Sequence, residues 1–124
     1  DRLVALLRET PEVAAAIDGI RRTDNGAIIV ARMSYEDSQA VRKELGASKD
    51  LILDHTIPLQ LGGDNGRGNL KLVPKADWER YTPVENYLGM MLRDGDIEAK
   101  KAQQLIRDFK AGKITESEVY AAAE

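Results

Sequence analysis

The chain has 124 residues, a length that one compact domain accounts for. Its 18 basic and 21 acidic side chains give a net charge of -3, so no overall positive field indicates a nucleic-acid partner. The absence of cysteine excludes disulfides, thiolate metal sites and thiol nucleophiles, and no apolar run reaches the roughly 20 residues of a membrane-spanning helix. Any metal site must therefore use oxygen or imidazole ligands.

Residues 1–49 are predicted to contain three helices and one short strand. Apolar residues recur at helical spacing in two segments before residue 21, namely Leu3, Leu6 and Leu7, then Val13, Ile17 and Ile20. After a polar turn, the β-branched run 28–30 favours a strand. Ser34 followed by Asp37 resembles a capping box, and it predicts a third helix that stops at Gly46.

Residues 50–82 are predicted to form a β-hairpin followed by a helix. The apolar run 51–53 predicts a short strand that delivers Asp54 and His55 at its end, and the run 70–73 predicts an antiparallel return strand. The loop between them is punctuated by glycines, at positions 62, 63, 66 and 68. After Pro74, residues 75–81 can form a helix.

Residues 83–124 are predicted to be helical. Thr82, Pro83 and Glu85 have the pattern of a helix start, which predicts a separate helix over residues 83–93. Another helix is expected over residues 97–110, and Thr115 with Glu118 predicts a capped final one. The expected fold is therefore a single α+β domain, mostly helical around a small hairpin, whose parts are 1–49, 50–82 and 83–124.

One set of residues in the hairpin carries the functional hypothesis. The pairs Asp54-His55, Gly62-Gly63 and Asn69-Leu70, with Pro58 after the first, occur in order across strand, loop and strand. In this respect the chain resembles the HNH, or His-metal-finger (ββα-metal), nucleases. The resemblance implies a hairpin and a following helix that grip one divalent cation. It also implies endonuclease hydrolysis of phosphodiester bonds, with DNA favoured as substrate and RNA as the alternative.

The hairpin motif supplies candidate catalytic and metal-binding residues. His55 is the only imidazole in the chain, and because imidazoles titrate near neutral pH it suits the base that activates water. By resemblance, Asp54 is the first metal ligand, and its hard carboxylate favours Mg²⁺ or Mn²⁺, with Zn²⁺ or Ni²⁺ as alternatives. Asn69 corresponds to the family Asn, which would tie down the loop or orient the imidazole.

The second metal ligand of the family is a His or Asn in the helix after the hairpin, and Trp78 occupies that position here. Tryptophan cannot bind a hard cation, so a neighbouring carboxylate would have to substitute. Asp77 is the nearest candidate, with Glu79 and Glu85 as alternatives, although Glu85 can also be explained as part of a helix cap. Trp78 itself is predicted to anchor the core between hairpin and helices.

Basic residues near the hairpin are predicted to contact phosphates of the nucleic-acid backbone, with a solvated charged face as the alternative; they are Arg67, Lys71, Lys75 and Arg80. A competing hypothesis, motivated by Trp78 and the acidic net charge, is a catalytically degenerate HNH-like module that binds nucleic acid or protein. The protein is expected in the cytoplasm, or alternatively as the delivered toxin domain of a larger protein. The parent protein or an inhibitor would then be its partner. No membrane partner is expected.

Overall fold

The computed structural model of the protein describes residues 21–124, so the two helices predicted before residue 21 lie outside the described residues. The chain forms two small antiparallel hairpins and four α-helices over this range, which confirms the α+β class. In chain order these elements are β1 (Arg21–Arg22), β2 (Ile28–Ile29), α1 (Tyr35–Glu44), β3 (Leu51–His55), β4 (Leu70–Pro74), α2 (Lys75–Arg93), α3 (Ala99–Lys110) and α4 (Glu116–Ala123). The connection between β3 and β4 contains two 3₁₀ turns, Leu59–Leu61 and Arg67–Asn69.

The first hairpin confirms the strand predicted over residues 28–30, although only Ile28 and Ile29 are paired, with Arg22 and Arg21 respectively. Its turn is joined to the helices by a side chain. The amide nitrogen of Asn25 donates to the carbonyls of Leu92 at 3.1 Å and Ile97 at 2.8 Å. This amide therefore fixes the first hairpin against the connection between α2 and α3.

The predicted helix α1 is confirmed, together with its cap. The hydroxyl of Ser34 accepts a hydrogen bond from the backbone N–H of Asp37 at 3.0 Å, and Gly46 after the helix has a φ of +79°. Arg42 donates to the carbonyl of Leu51 at 3.0 Å. The end of α1 is thereby held beside the start of β3.

The second hairpin places the candidate site. Strands β3 and β4 pair in antiparallel register, with Leu51 opposite Pro74 and His55 opposite Leu70. Side chains alternate between the two faces of a strand, so the adjacent residues Asp54 and His55 point to opposite sides of the hairpin. The carboxylate faces the helices and the imidazole faces the side of α1.

The prediction of a separate helix beginning at Pro83 is wrong, because α2 runs unbroken from Lys75 to Arg93 with Pro83 inside it. Buried side chains continue along one face on both sides of the proline, at Tyr81, Val84, Leu88, Met91 and Leu92. Pro83 cannot donate to the carbonyl of Glu79, but both residues are exposed, so water can take that bond. Packing of the continuous apolar face outweighs the local start pattern, and Thr82 instead donates its hydroxyl to the carbonyl of Trp78.

The core joins the second hairpin to the helices. Leu61 of the hairpin loop, Leu88 of α2 and Ile106 of α3 are fully buried in one cluster. The prediction that Trp78 anchors this core is wrong, since 38% of Trp78 is exposed. Tyr81, one turn further along α2, takes that place, with its ring edge-to-face against Phe109 at 6.0 Å between centroids.

The last two helices confirm their predictions. Helix α3 ends at Lys110, two residues before Gly112, whose φ is +77°. Thr115 and Glu118 form a reciprocal capping box at the start of α4, with hydrogen bonds of 3.1 and 3.0 Å. None of the helices within residues 21–124 combines the length and apolar character that crossing a bilayer requires.

Candidate functional site

A buried cluster of charges lies between β3 and the helices. The ammonium of Lys110, the last residue of α3, donates to the carboxylates of Asp54 at 2.9 Å and Glu85 at 2.5 Å. It also donates to the main-chain carbonyl of His55 at 2.8 Å. The exposed fractions of the side chains are 6% for Lys110, 6% for Asp54 and 13% for Glu85. We refer to Lys110, Asp54, Glu85 and the carbonyl of His55 as the Lys110 cluster.

The charges of the Lys110 cluster do not balance, because two carboxylates share one ammonium. Burial raises the pKa of Glu85, while the charge and hydrogen bond of Lys110 oppose that rise. The ammonium also lies 4.9 Å from the centroid of the Tyr81 ring, a distance at which the ring face attracts a cation. The two carboxylates, the carbonyl and the ring therefore all stabilise positive charge on this ammonium.

The oxygens of the Lys110 cluster have the chemistry of ligands for a hard divalent cation. Two carboxylates and one carbonyl match the preference of Mg²⁺ and Mn²⁺, and the three oxygens already converge on one positively charged atom. Across the described part of the chain, no three side chains of His, Cys, Asp or Glu form a metal-binding group. The donor types thus fit a divalent ion, but the ammonium of Lys110 occupies the position on which the three oxygens converge.

Asp77, the first choice from sequence for a second metal ligand, lies outside this cluster. It is in the exposed first turn of α2, where its carboxylate is 3.5 Å from the guanidinium of Arg80. Glu85, considered from sequence only as an alternative, is the carboxylate that shares a partner with Asp54. The interpretation of Glu85 as a helix cap is wrong, since it lies in the middle of α2.

His55 is held on the opposite face of the hairpin by an amide. Its Nε2 lies 2.8 Å from the Oδ1 of Asn65, and the Nδ2 of Asn65 donates to the carbonyl of Ala31 at 2.8 Å. The second bond fixes the orientation of the amide, so its oxygen faces the ring and Nε2 must carry the hydrogen. The lone pair of a neutral His55 therefore resides on Nδ1, which is the nitrogen that can accept a proton.

Asn69 closes the hairpin loop. Its Oδ1 accepts from the N–H of Ile57, and its Nδ2 donates to the carbonyls of Ile57 and Asp64, all at 2.9 Å. Of the two roles expected from sequence, these contacts correspond to tying down the loop. Orientation of the imidazole falls to Asn65, which sequence reasoning missed because only turn chemistry marks residues 64–66.

The four basic residues predicted to contact phosphates lie in different surroundings. Arg67 donates to Glu44 at 3.0 and 2.8 Å, and this hydrogen-bonded pair lowers the pKa of Glu44. Arg80 pairs with Asp77 and covers the ring of Tyr81, while Lys75 lies 3.8 Å from Glu79. Lys71 alone among the four lines a cavity beside Asp54.

Two small cavities flank the end of β3. One of about 150 Å³ lies on the side of the Lys110 cluster, and its polar lining comprises Asp54, Thr56, Lys71, Tyr81, Arg107 and Lys110. The other, of about 140 Å³, lies on the imidazole side and is lined by Arg32, Met33, Ser38, Leu53, His55 and Leu59. Arg107 and Arg32, which sequence reasoning did not select, thus bring basic groups to both sides.

The structure therefore brings Asp54 together with Glu85 and Lys110, joins His55 to Asn65, and leaves Asp77 apart from both. No local sequence pattern links Lys110 and Glu85 to the hairpin motif, because Lys110 lies on α3 and Glu85 on α2. Comparison with protein-family models, with curated proteins and with solved structures gave no match for this chain.

Proposed function

We propose that this chain is a metal-dependent endonuclease of the HNH type that hydrolyses phosphodiester bonds in DNA. The observation that carries the proposal is the division of the hairpin end into two faces. One face presents the carboxylate of Asp54 to Glu85, and the other presents an imidazole oriented by Asn65. Phosphodiester hydrolysis needs a base and an oxygen site for a cation. Two consecutive residues thus contribute to both, His55 as the base and Asp54 as one of the oxygen ligands.

The proposed reaction is an in-line displacement at phosphorus. In such a reaction the entering water and the departing oxygen lie on opposite sides of the phosphorus atom. His55 Nδ1 takes a proton from water, the resulting hydroxide forms the new P–O bond, and the bond to the 3′-oxygen breaks. A divalent cation held by Asp54 and Glu85 would neutralise charge on the phosphate and the departing oxygen. Lys71 and Arg107, which line the cavity beside Asp54, are placed to attract the phosphate.

The test is cleavage of supercoiled plasmid and linear duplex DNA with Mg²⁺, Mn²⁺, Ni²⁺ or Zn²⁺, with single-stranded RNA as a parallel substrate. We expect His55→Ala to reduce the rate roughly 10²–10⁴-fold, the usual contribution of a positioned base. Lys100→Ala, which alters an exposed residue of α3, is the control and should retain the wild-type rate. Absence of cleavage with every metal, or equal rates for His55→Ala and wild type, would contradict the proposal.

A second candidate function is a non-catalytic module that binds nucleic acid without cutting it. The observation that favours it is the ion pairing of Asp54 and Glu85 with Lys110, which leaves neither carboxylate available as it stands. Such a module would bind DNA in a fluorescence-anisotropy titration, and its affinity for DNA would fall in Lys71→Ala. It would cleave no DNA with any metal. Metal-dependent cleavage that requires His55 would exclude it.

A further inference from the structure

The position of Lys110 has a direct bearing on cation binding. Its ammonium donates three hydrogen bonds, all to oxygen atoms. Two of these oxygens are in β3, the carboxylate of Asp54 and the main-chain carbonyl of His55, and the third is the carboxylate of Glu85 in α2. The side chain is nearly fully buried, with 6% exposed. A long and flexible lysine is thus drawn out of water into a site built of the same ligand types that hold a divalent ion.

We infer that Lys110 is an internal cation that occupies a divalent metal site formed by Asp54, Glu85 and the carbonyl of His55, so that lysine and metal exclude each other. This inference rests on the proposed function only for the use to which the metal is put. In the structure, the ammonium donates hydrogen bonds to all three oxygens. The metal binds when the side chain of Lys110 moves away from them.

The charges explain why exclusion, rather than joint occupancy, is expected. Asp54 and Glu85 together carry two negative charges when ionised, which one divalent ion neutralises completely. Lys110 and a divalent ion together would leave one uncompensated positive charge in a buried position, which is costly in a medium of low dielectric constant. The two cations also need the same three oxygens, which lie 2.5 to 2.9 Å from the ammonium.

The structure offers a place for the displaced ammonium. The cavity of about 150 Å³ beside Asp54 is lined by Lys110 itself, by Thr56 and Ala111, and by the basic side chains of Lys71 and Arg107. Rotation about the flexible stem of Lys110 would carry the ammonium out of the cluster towards this space, against the positive charges of Lys71 and Arg107. Lys110 would then control whether the carboxylates accept a metal.

The test is isothermal titration of the apo chain with Mn²⁺, comparing wild type, Lys110→Met and the double variant Lys110→Met/Glu85→Gln. Methionine keeps much of the length and apolar surface of the lysine stem while removing the charge. We expect Lys110→Met to bind one Mn²⁺ at least about tenfold more tightly than wild type, because it removes a positive charge within a few ångströms of the ion. The gain should disappear in the double variant, which lacks one ligand carboxylate.

Circular dichroism provides the folding control, because Lys110→Met leaves two buried carboxylates unpaired in the absence of metal. A variant that is unfolded alone but folds on addition of Mn²⁺ supports the inference as well as tighter binding does. If Lys110→Met does not fold under either condition, Lys110→Gln takes its place in the same comparison, since its amide can still donate to a carboxylate without carrying charge.

Failure of this inference and failure of the proposed function give different results. The inference is overturned if a folded Lys110→Met or Lys110→Gln variant binds Mn²⁺ no more tightly than wild type. This holds even if DNA cleavage by the wild type requires His55. A gain in affinity that needs Glu85, in a protein that cleaves no nucleic acid, supports the inference and overturns the proposed function.

Discussion

At the scale of single residues, close packing in the hairpin loop distinguishes glycines that the sequence presents alike. Gly62 has a φ of +95°, a conformation that residues with side chains rarely adopt. Gly63 is required for another reason, because a Cβ there would lie 1.7 Å from the carbonyl oxygen of Ile57. A Cβ at Gly68 would meet nothing within 4 Å. The loop therefore depends on individual glycines and not on overall glycine content.

Gly63→Ala should destabilise the chain and Gly68→Ala should not. The first substitution forces the backbone at Ile57, and with it the loop that Asn69 closes, to shift, at a cost of about 2–4 kcal/mol in the free energy of unfolding. The second reduces the freedom of the unfolded chain and should change stability by less than about 1 kcal/mol. Urea denaturation of both variants measures the difference. Equal stabilities would mean that Gly63 and Ile57 are not in contact.

Residue identity in the hairpin predicted part of the site and not the rest. Asp54, His55 and Asn69 stand in a pattern within one hairpin, so local sequence order is enough to select them. Lys110 contacts Asp54 across 56 positions of sequence, and Asn65 reaches Ala31 across 34. Such contacts follow from how helices pack onto the hairpin, which no local pattern encodes. The ammonium that pairs with Asp54 was therefore outside the reach of sequence reasoning.

At the scale of elements, helix starts and stops were predictable where a cap has no competitor. Ser34 and Thr115 cap the helices that follow them, as expected. Thr82 and Pro83 give an equally good local pattern, yet they lie inside α2 because the buried face of that helix continues through them. Side-chain burial over five positions exceeds the cost of one lost hydrogen bond at an exposed site. Local patterns thus fail where tertiary packing favours continuity.

Continuity of α2 can be measured with two substitutions at Pro83. Pro83→Ala restores an N–H for the carbonyl of Glu79 and should raise the free energy of unfolding by roughly 1–3 kcal/mol. Pro83→Gly restores the same N–H but should be about 1 kcal/mol less stable than the alanine variant, as expected inside a helix. Chemical denaturation of both proteins gives the comparison. If alanine and glycine gave the same stability, α2 would not be helical at Pro83.

At the scale of the whole molecule, one apolar core fixes the elements that build the site. Leu61 from the hairpin loop, Leu88 from α2, Ile106 from α3 and Val119 from α4 share it. Helix α4 packs onto α2 partly through the rings of Tyr120 and Tyr87, whose centroids are 4.6 Å apart. Because these helices share a core with the loop, loss of one contact should be detected in the stability of the whole domain.

Alkaline pH provides a measurement at this scale. Burial, together with the hydrogen bond that the phenol donates to Glu116, raises the pKa of Tyr120 from 10.0 to about 12. The unfolded chain therefore loses this proton first, and the stabilising contribution, fully present below pH 10.0, is lost as the pH rises to about 12. Thermal unfolding between these limits should show a smaller loss of stability in Tyr120→Phe than in wild type. Parallel curves for the two proteins would contradict this assignment.

The amide of Asn25 has a consequence for proteolysis. Arg93 ends α2 in an exposed turn, where trypsin would ordinarily cut, but the carbonyls of Leu92 and Ile97 on either side are held by that one amide. A protease needs an extended segment in its active site, and this turn can extend only after both hydrogen bonds break and the first hairpin separates from the helices. The rate of cleavage after Arg93 would thus report how often the first hairpin detaches from the helices.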